Sequence, residues 1–337
     1  MRNPMRPTIM EIVPNIHRIE VPFGERVVCV YLLVGDERLL LVDSGLDSTP
    51  CEFILPYLEE IGCKDRCVDF VLTTHADIDH MGGNAALREL YPKACFMAHR
   101  LDRAWIEDVE RIIKENYGQF DAEHGTKADP AVDDWFRSQT RTTAVDLELL
   151  GGERVHLGHD WWIEVRHTPG HTRGHLSVID PLNNAAIIAD AALFDALYTK
   201  SGRSAFPPTY RFVEDYLQTA RDLLRLAPTV LLTSHYPVMR DDDVRSFLQA
   251  TIDFTGRVEH ELIMVLDAAL QPLALSCIIE LLHGRLGAWP SPGDSFLMYP
   301  LVGHLELLEQ SGAVRKSSEL GVSKYSRTGR RHIRTAS

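Results

Sequence analysis

The sequence predicts a layered α/β protein whose polar chemistry gathers at strand ends. Three observations carry this. Short apolar runs at 27–34, 39–42, 68–72, 161–165, 176–179, 185–189 and 230–232 have the length and residue types of strands. Amphipathic stretches fall between them, with Phe53, Ile54, Tyr57, Leu58 and Ile61 on one face of a first helix and Phe212, Tyr216, Leu217, Ala220, Leu223 and Leu224 on one face of a later one. Several of the apolar runs lead into a His or an Asp, as expected where strand ends on one edge of a sheet share a site.

Composition bounds the reading. A chain of 337 residues, 45% apolar and 25% charged, can hold one large domain and a smaller one around packed cores. Its 48 acids against 35 bases give a net charge of −13, which argues against a general nucleic-acid or anionic-membrane surface. After Arg2 and Arg6 no apolar stretch follows, because Pro4, Pro7, Glu11 and Pro14 interrupt it, so no signal peptide is expected. No run reaches the roughly 20 apolar residues that span a bilayer. Cys29, Cys51, Cys63, Cys67, Cys95 and Cys277 form no regular framework. Reduced thiols in a cytoplasmic protein are therefore expected.

Taken in order, residues 9–43 read as antiparallel β structure, with Gly35-Asp36 as a turn and Asp43-Ser44-Gly45 as its end. A helix is expected over 50–61, then a strand, the helix 84–90 and a short strand at 95–98. Residues 100–150 carry twelve acids and seven bases if Arg100 is included, and Trp105, Val109, Ile112 and Ile113 recur at helical spacing. They read as a helical insertion, either packed on the main domain or serving as a lid whose aromatics line a pocket. β structure returns at 161. A domain over 1–250 and a C-terminal module over 255–337 are expected. In the module, helices near 257–270, 273–286 and 299–310 and a hairpin at 314–325 suggest a winged helix. Its tail carries Arg315, Lys316, Lys324, Arg327, Arg330, Arg331 and Arg334 against the single acid Glu319.

The densest chemistry lies in Thr73-Thr74-His75-Ala76-Asp77-Ile78-Asp79-His80-Met81-Gly82-Gly83, between an apolar strand and a helix. Imidazole and carboxylate are ligands that divalent transition metals favour. His171, Asp190 and His235 follow later apolar runs in the same way, so four separate strand ends offer metal-capable side chains.

These residues resemble the metallo-β-lactamase fold superfamily, an αββα sandwich. Its usual motif T-H-x-H-x-D-H-x-G-G corresponds to residues 74–83, its H-T-P-G-H-T to 167–172, its strand-end Asp to Asp190 and its final His to His235, while Asp43 fits an early D-[ST]-G element. The resemblance covers about residues 9–245 and implies a metal-dependent hydrolase acting on an ester, thioester, lactone, amide or phosphoester. It also implies a ligand set. His75, Asp77 and His171 would hold one ion, Asp79, His80 and His235 a second, and Asp190 would bridge them. A bridging hydroxide would be the nucleophile, oriented by Asp79 as the catalytic residue. Asp43 would support a ligand from behind. Two divalent ions are expected, zinc first.

Position 77 departs from the pattern, which most often has His there. A carboxylate at Asp77 favours harder ions such as iron or manganese, and Asp is shorter than His or Glu. A dinuclear site with an oxygen ligand is expected, with one weak metal or a mononuclear site as the other arrangements. Two further readings stand beside hydrolysis: an iron-dependent redox enzyme of dioxygenase or diiron type, and a nucleic-acid-binding protein or nuclease using the C-terminal module. A small-molecule substrate is expected, the sequence admits a homodimer, and packing of the module on the site is favoured over nucleic-acid binding. His167 is expected at a strand end, His175 buried or behind the ligands, and His99, His124, His156 and His159 in solvent.

Overall fold

A computed structural model describes residues 9–126 and 130–329. Arg330, Arg331 and Arg334 of the expected basic tail, with Arg2 and Arg6, lie outside these residues.

The first sheet takes its strands in chain order: β1 (Ile9–Val13), β2 (Ile16–Phe23), β3 (Arg26–Val34), β4 (Leu39–Val42), β5 (Phe70–Thr73), β6 (Cys95–His99) and β7 (Leu147–Leu149). β1 to β4 are antiparallel, and β4 to β7 run parallel. The switch follows from the connections. Short turns join the first strands, whereas helical segments carry the chain back between the later ones. These are a turn over Pro50–Ile54 continuing into α1 (Leu55–Glu60), then α2 (Ile78–Met81) and α3 (Asn84–Leu90).

Among its described residues the insertion holds α4 (Arg103–Ile106), α5 (Val109–Ile112), which continues as a wider helical turn over Ile113–Tyr117, α6 (Asp121–His124) and α7 (Pro130–Gln139). The second sheet is built from β8 (Arg154–Gly158), β9 (Trp161–His167), β10 (Leu176–Asp180) and β11 (Ala185–Ala189). A small hairpin follows, β12 (Leu197–Tyr198) and β13 (Ser204–Phe206), and then α8 (Val213–Leu226). β14 (Val230–Thr233) and β15 (Met239–Arg240) complete the sheet, in the order β15-β14-β11-β10-β9-β8.

Period-2 alternation shows why the two sheets stack. Leu40 and Val42 of β4, Ile187 of β11 and Leu232 of β14 share the buried layer between the sheets with Tyr31, Leu72, Met97 and Val178. Leu39 and Leu41 turn the other way, onto Ile54, Tyr57, Leu58 and Leu87 of the first helical layer. Ile188 and Leu231 pack on Leu223 of α8 and on Phe247 and Leu248. Strands buried on both faces read as continuous apolar runs, as these do. The result is the αββα sandwich.

The C-terminal part starts earlier than its apolar periodicity near 257 suggested. α9 runs unbroken from Asp242 to Ala268. Val244, Phe247 and Leu248 anchor its first turns in the second sheet's outer core, while Phe254, Val258, Leu262, Val265 and Leu266 join a further core with α10 (Leu275–Leu282) and α11 (Met298–Gln310). β16 (Leu273–Ala274), β17 (Val314–Glu319) and β18 (Val322–Arg327) form a three-stranded sheet in the order β16-β18-β17. This part packs towards the strand-end edge. Arg211 grips Glu306 of α11 through both terminal nitrogens, at 2.8 and 2.6 Å, and Tyr210 pairs with His304 at 2.9 Å.

Two histidines expected in solvent are buried. His99, 4% exposed, stacks on His167 at 4.2 Å, and His124, 6% exposed, lies against Tyr325 and Phe120. The contacts of His99 with His167 and of His124 with Tyr325 are tertiary, between segments far apart in sequence. His159 is exposed and His156 partly so.

Candidate metal centre

Each of the four strand ends delivers its side chains to one place. β5 leads through Thr74 into His75, and Asp77 then caps α2 by accepting from the Ile78 backbone N–H at 2.9 Å. The cap fixes the start of α2, which carries Asp79 and His80. The next residues must be Gly because the 43–45 turn lies directly against them. A Cβ at Gly83 would stand 2.4 Å from the Ser44 carbonyl oxygen. Ser44 in turn donates its N–H to the His80 carbonyl at 2.8 Å.

Two residues beside the cluster sit in the left-handed region, Asp43 at φ 63° and Ala189 at φ 43°. For non-glycine residues that costs of order 1–3 kcal/mol, which the surrounding packing must offset. The bends turn Asp43 beneath His80 and Asp190 into the centre.

Four imidazoles present the same atom inward. His171 Nδ1 donates to the Thr209 carbonyl at 3.2 Å and His235 Nδ1 to the Val27 carbonyl at 2.8 Å. His80 Nδ1 lies 2.8 Å from Asp43 Oδ2, and His75 Nδ1 3.0 Å from Thr74 Oγ1, whose proton goes to Asp43 at 2.8 Å. Carbonyls and carboxylates only accept, so for His80, His171 and His235 the hydrogen sits on Nδ1 and the Nε2 lone pair is left bare in the neutral ring. His75, His80 and His171 each have a buried Nε2 without a hydrogen-bond partner, and Asp190 has a buried Oδ1 in the same state.

These atoms converge. His235 Nε2 is 3.2 Å from Asp190 Oδ2 and 3.7 Å from Asp79 Oδ2, His80 Nε2 is 3.7 Å from Asp190 Oδ2, and His171 Nε2 is 3.4 Å from Asp77 Oδ2. Three overlapping trios keep their ligand atoms within 4.8 Å of one another: His75, Asp77 and His171, then Asp79, His80 and His235, then His75, His80 and Asp190. All seven residues expected from the sequence, with Asp43 behind them, are thus brought together.

The electrostatics of the cluster favour positive charge. Burial alone would lower the His80 pKa, but Asp190, Asp43 and Asp79 outweigh it and push it up to about 10. Burial likewise opposes ionisation of Asp190, yet His235 and His80 hold it well below the usual carboxylate range. Burial raises Asp79. Four carboxylates gathered out of water favour positive charge between them, and a proton on imidazole supplies it where no other cation does. Bare Nε2 atoms, an unpartnered carboxylate oxygen and this excess of negative charge fit divalent cations held by nitrogen and oxygen.

Two residues that sequence reasoning did not single out, Asp102 and Tyr117, hold the cluster in place, and a third, Arg26, lies beside it. Asp102, 1% exposed, accepts from the Ala76 N–H at 3.0 Å, the Gly174 N–H at 2.8 Å and the Thr172 hydroxyl at 2.7 Å, and so ties the loop of His75 to the loop of His171. Tyr117 of the insertion donates its hydroxyl to Asp77 Oδ1 and accepts from the Ile78 N–H at 3.0 Å. Arg26 lies beside the cluster, at the start of β3. None belongs to a spacing motif. His175 was expected behind the ligands. It is fully buried, and its Nε2 accepts from the Asp190 N–H at 3.2 Å. His167 instead ends β9, its Nε2 2.7 Å from the Arg173 carbonyl.

The sequence model of the Metallo-beta-lactamase superfamily matches residues 23–235, which include every residue of this cluster. The chain belongs to the metallo-beta-lactamase superfamily. It is, at that level, a metallo-hydrolase. Among relatives of this superfamily, the acyl-coenzyme A thioesterase MBLAC2 of Bos taurus is 24% identical over 227 residues, covering 62% of this chain and 71% of that protein. The hydroxyacylglutathione hydrolase of Aeromonas hydrophila is 27% identical over 148 residues, 44% of this chain and 41% of that one. The crystal structure of the metallo-beta-lactamase family protein TTHA1429 from Thermus thermophilus superposes with a TM-score of 0.74 at 22% identity, covering 94% of this chain and all of that one. The shared fold therefore includes the C-terminal part.

Proposed function

We propose that the protein hydrolyses an ester or thioester of a small molecule at a site for two divalent ions, zinc being the first expectation. The observation that carries this is the gathering of three buried, unpartnered Nε2 atoms and the unpartnered Asp190 Oδ1 in overlapping trios of metal-capable groups. His75, Asp77 and His171 would hold one ion, Asp79, His80 and His235 the other, with Asp190 between them. Ions held there would acidify a water and polarise the substrate carbonyl.

The remaining tasks fall to the chain. Asp79, with one oxygen 3.9 Å from His80 and the other 3.7 Å from His235, would orient the attacking water and take its proton. Asp43 and the carbonyls of Val27 and Thr209 keep the imidazole hydrogens on Nδ1. Water is added across the acyl bond, giving a carboxylic acid and a thiol or alcohol. Two named relatives, an acyl-coenzyme A thioesterase and a hydroxyacylglutathione hydrolase, favour the thioester within this class.

We further propose that the chain divides into a catalytic domain and a winged-helix-like module whose role is to brace the site. In that module Lys316 pairs with Glu123, Lys324 with Glu319, and Arg327 with Asp267 at 2.8 Å. Cations already neutralised within the chain are poor phosphate binders. No helix among the described residues is long and apolar enough to cross a membrane, and all six cysteines are free. The free thiols support a cytoplasmic setting.

The test is a thioester hydrolysis assay on zinc-loaded protein beside His80→Ala and Asp190→Ala. Loss of roughly a hundredfold or more in both is expected for displaced metal ligands. Retained activity in either would overturn the reading.

A further inference from the structure

Arg26 opens β3 at the edge of the metal cluster, and its chain neighbour Val27 accepts the His235 Nδ1 hydrogen at 2.8 Å. Its guanidinium carbon lies 4.4 Å from the ring centroid of Phe23 and 4.6 Å from that of Phe206. Phe23 stacks on Trp135 of α7 at 6.0 Å, and Phe206 stacks on Phe296 of the C-terminal part at 4.4 Å. Four separate segments of the chain thus build an aromatic cradle around one cation.

Among the described residues, no carboxylate pairs with this guanidinium. The nearby Glu25 is taken by Arg203 at 3.3 Å, and Arg18 and Arg211 have Glu20 and Glu306. The acids that act on Arg26 are Asp79, Asp190 and Asp77, all members of the cluster. Ring faces attract a cation but are at best weak acceptors for its N–H groups. Five donors in a planar fork, partly open to solvent, therefore find no full acceptor among the described residues, beside a site where an acyl bond is to be cut. Divalent ions held in the cluster would offset the charge of these carboxylates, leaving the guanidinium to a substrate anion.

We propose that Arg26, held between Phe23 and Phe206, binds a carboxylate carried by the substrate a few bonds from the scissile acyl group. The inference rests on the hydrolase reading for its reaction but not for its binding. The planar fork matches a planar carboxylate through two parallel hydrogen bonds. Trp135 and Phe296, both 39% exposed, extend apolar surface outward from the cradle for the rest of the molecule. Arg26 is a specificity residue here and takes no part in proton transfer.

The experiment compares two esters of similar size, the mono-4-nitrophenyl ester of succinate and neutral 4-nitrophenyl butyrate, on zinc-loaded wild type, Arg26→Ala and Arg26→Lys. The ratio of kcat/KM for the anionic over the neutral ester should fall about tenfold or more in Arg26→Ala, as expected for loss of a charged hydrogen bond. The fall should be carried by KM, and Arg26→Lys should keep part of the preference. A ratio in Arg26→Ala within twofold of wild type overturns the proposal, because loss of packing alone would slow both esters alike. A second arm separates this inference from the hydrolase reading. Calorimetry with 4-(4-nitrophenyl)butyrate and its neutral amide needs no turnover. Preference for the acid in wild type, lost in Arg26→Ala, supports the carboxylate site even if neither ester is cut. Equal preference in the two proteins contradicts it even if both are.

Discussion

Tyr117 donates its hydroxyl to Oδ1 of Asp77, which leaves Oδ2 turned to His171 Nε2 at 3.4 Å. The insertion thus decides which oxygen of the unusual carboxylate faces the ligands. Tyr117 is itself fixed by stacking on Phe136 at 4.0 Å. Short as Asp77 is, its second oxygen reaches the cluster because α2 begins immediately after it.

This pair can be separated from helix capping. Asp77→Asn keeps an oxygen for the Ile78 N–H but removes the charge, whereas Asp77→Ala removes both. Zinc titration followed by calorimetry should show the weaker of two sites lost in both variants, and thermal melting should show further destabilisation in Asp77→Ala by about 1 kcal/mol. Tyr117→Phe should weaken that site by roughly tenfold while leaving the other unchanged. Unaltered binding at both sites in all three variants would remove Asp77 from the ligand set.

Asp102 carries a prediction about stability and activity together. Asp102→Ala leaves the Ala76 and Gly174 N–H groups and the Thr172 hydroxyl without their acceptor. Unsatisfied buried donors cost about 1–3 kcal/mol each, so a loss of at least about 3 kcal/mol in denaturant unfolding is expected. Activity should fall as well, because the loops of His75 and His171 are no longer tied to each other. Gly174→Ala should mimic it in part, since a Cβ there would stand 2.4 Å from an Asp102 oxygen.

His99 makes stability depend on pH. Burial first, and then the neighbouring His167, lower its pKa from 6.5 to about 4. Its Nδ1 accepts the Leu101 N–H at 3.1 Å, so protonation breaks a hydrogen bond. A histidine kept neutral by folding contributes stability that is fully present above its unfolded value and lost as pH falls through the folded one. Between pH 6.5 and about 4 the wild type should therefore lose more stability than His99→Gln. Denaturant midpoints across that window check it, and parallel curves for the two proteins would count against the assignment.

The parts of this fold that could be read from the chain are those in which local pattern and tertiary role coincide. Leu39–Val42 is apolar on both faces because it lies inside two layers, and α3 ends where its apolar spacing ends. The members of the His/Asp cluster could be found because each follows a strand. Asp102, Tyr117 and Arg26 could not, because their partners are fixed only when the insertion, the β2–β3 turn and the β12–β13 hairpin close over the sheet edge. His99 and His124 misled for the same reason. His99 ends β6 just before the polar run from Arg100, His124 lies within a polar stretch, and each is buried by a distant segment. The start of α9 was missed because its first turns, from Asp242 to Arg245, are too charged to announce a helix.

The central claim is that this cluster is a two-metal site. Chelator-stripped protein titrated with zinc, followed by calorimetry, tests it most directly. Two equivalents bound at ~1 µM or tighter, with release of any proton carried on an Nε2 of the cluster, are the result predicted. One equivalent, or none, in a protein that remains folded would contradict it.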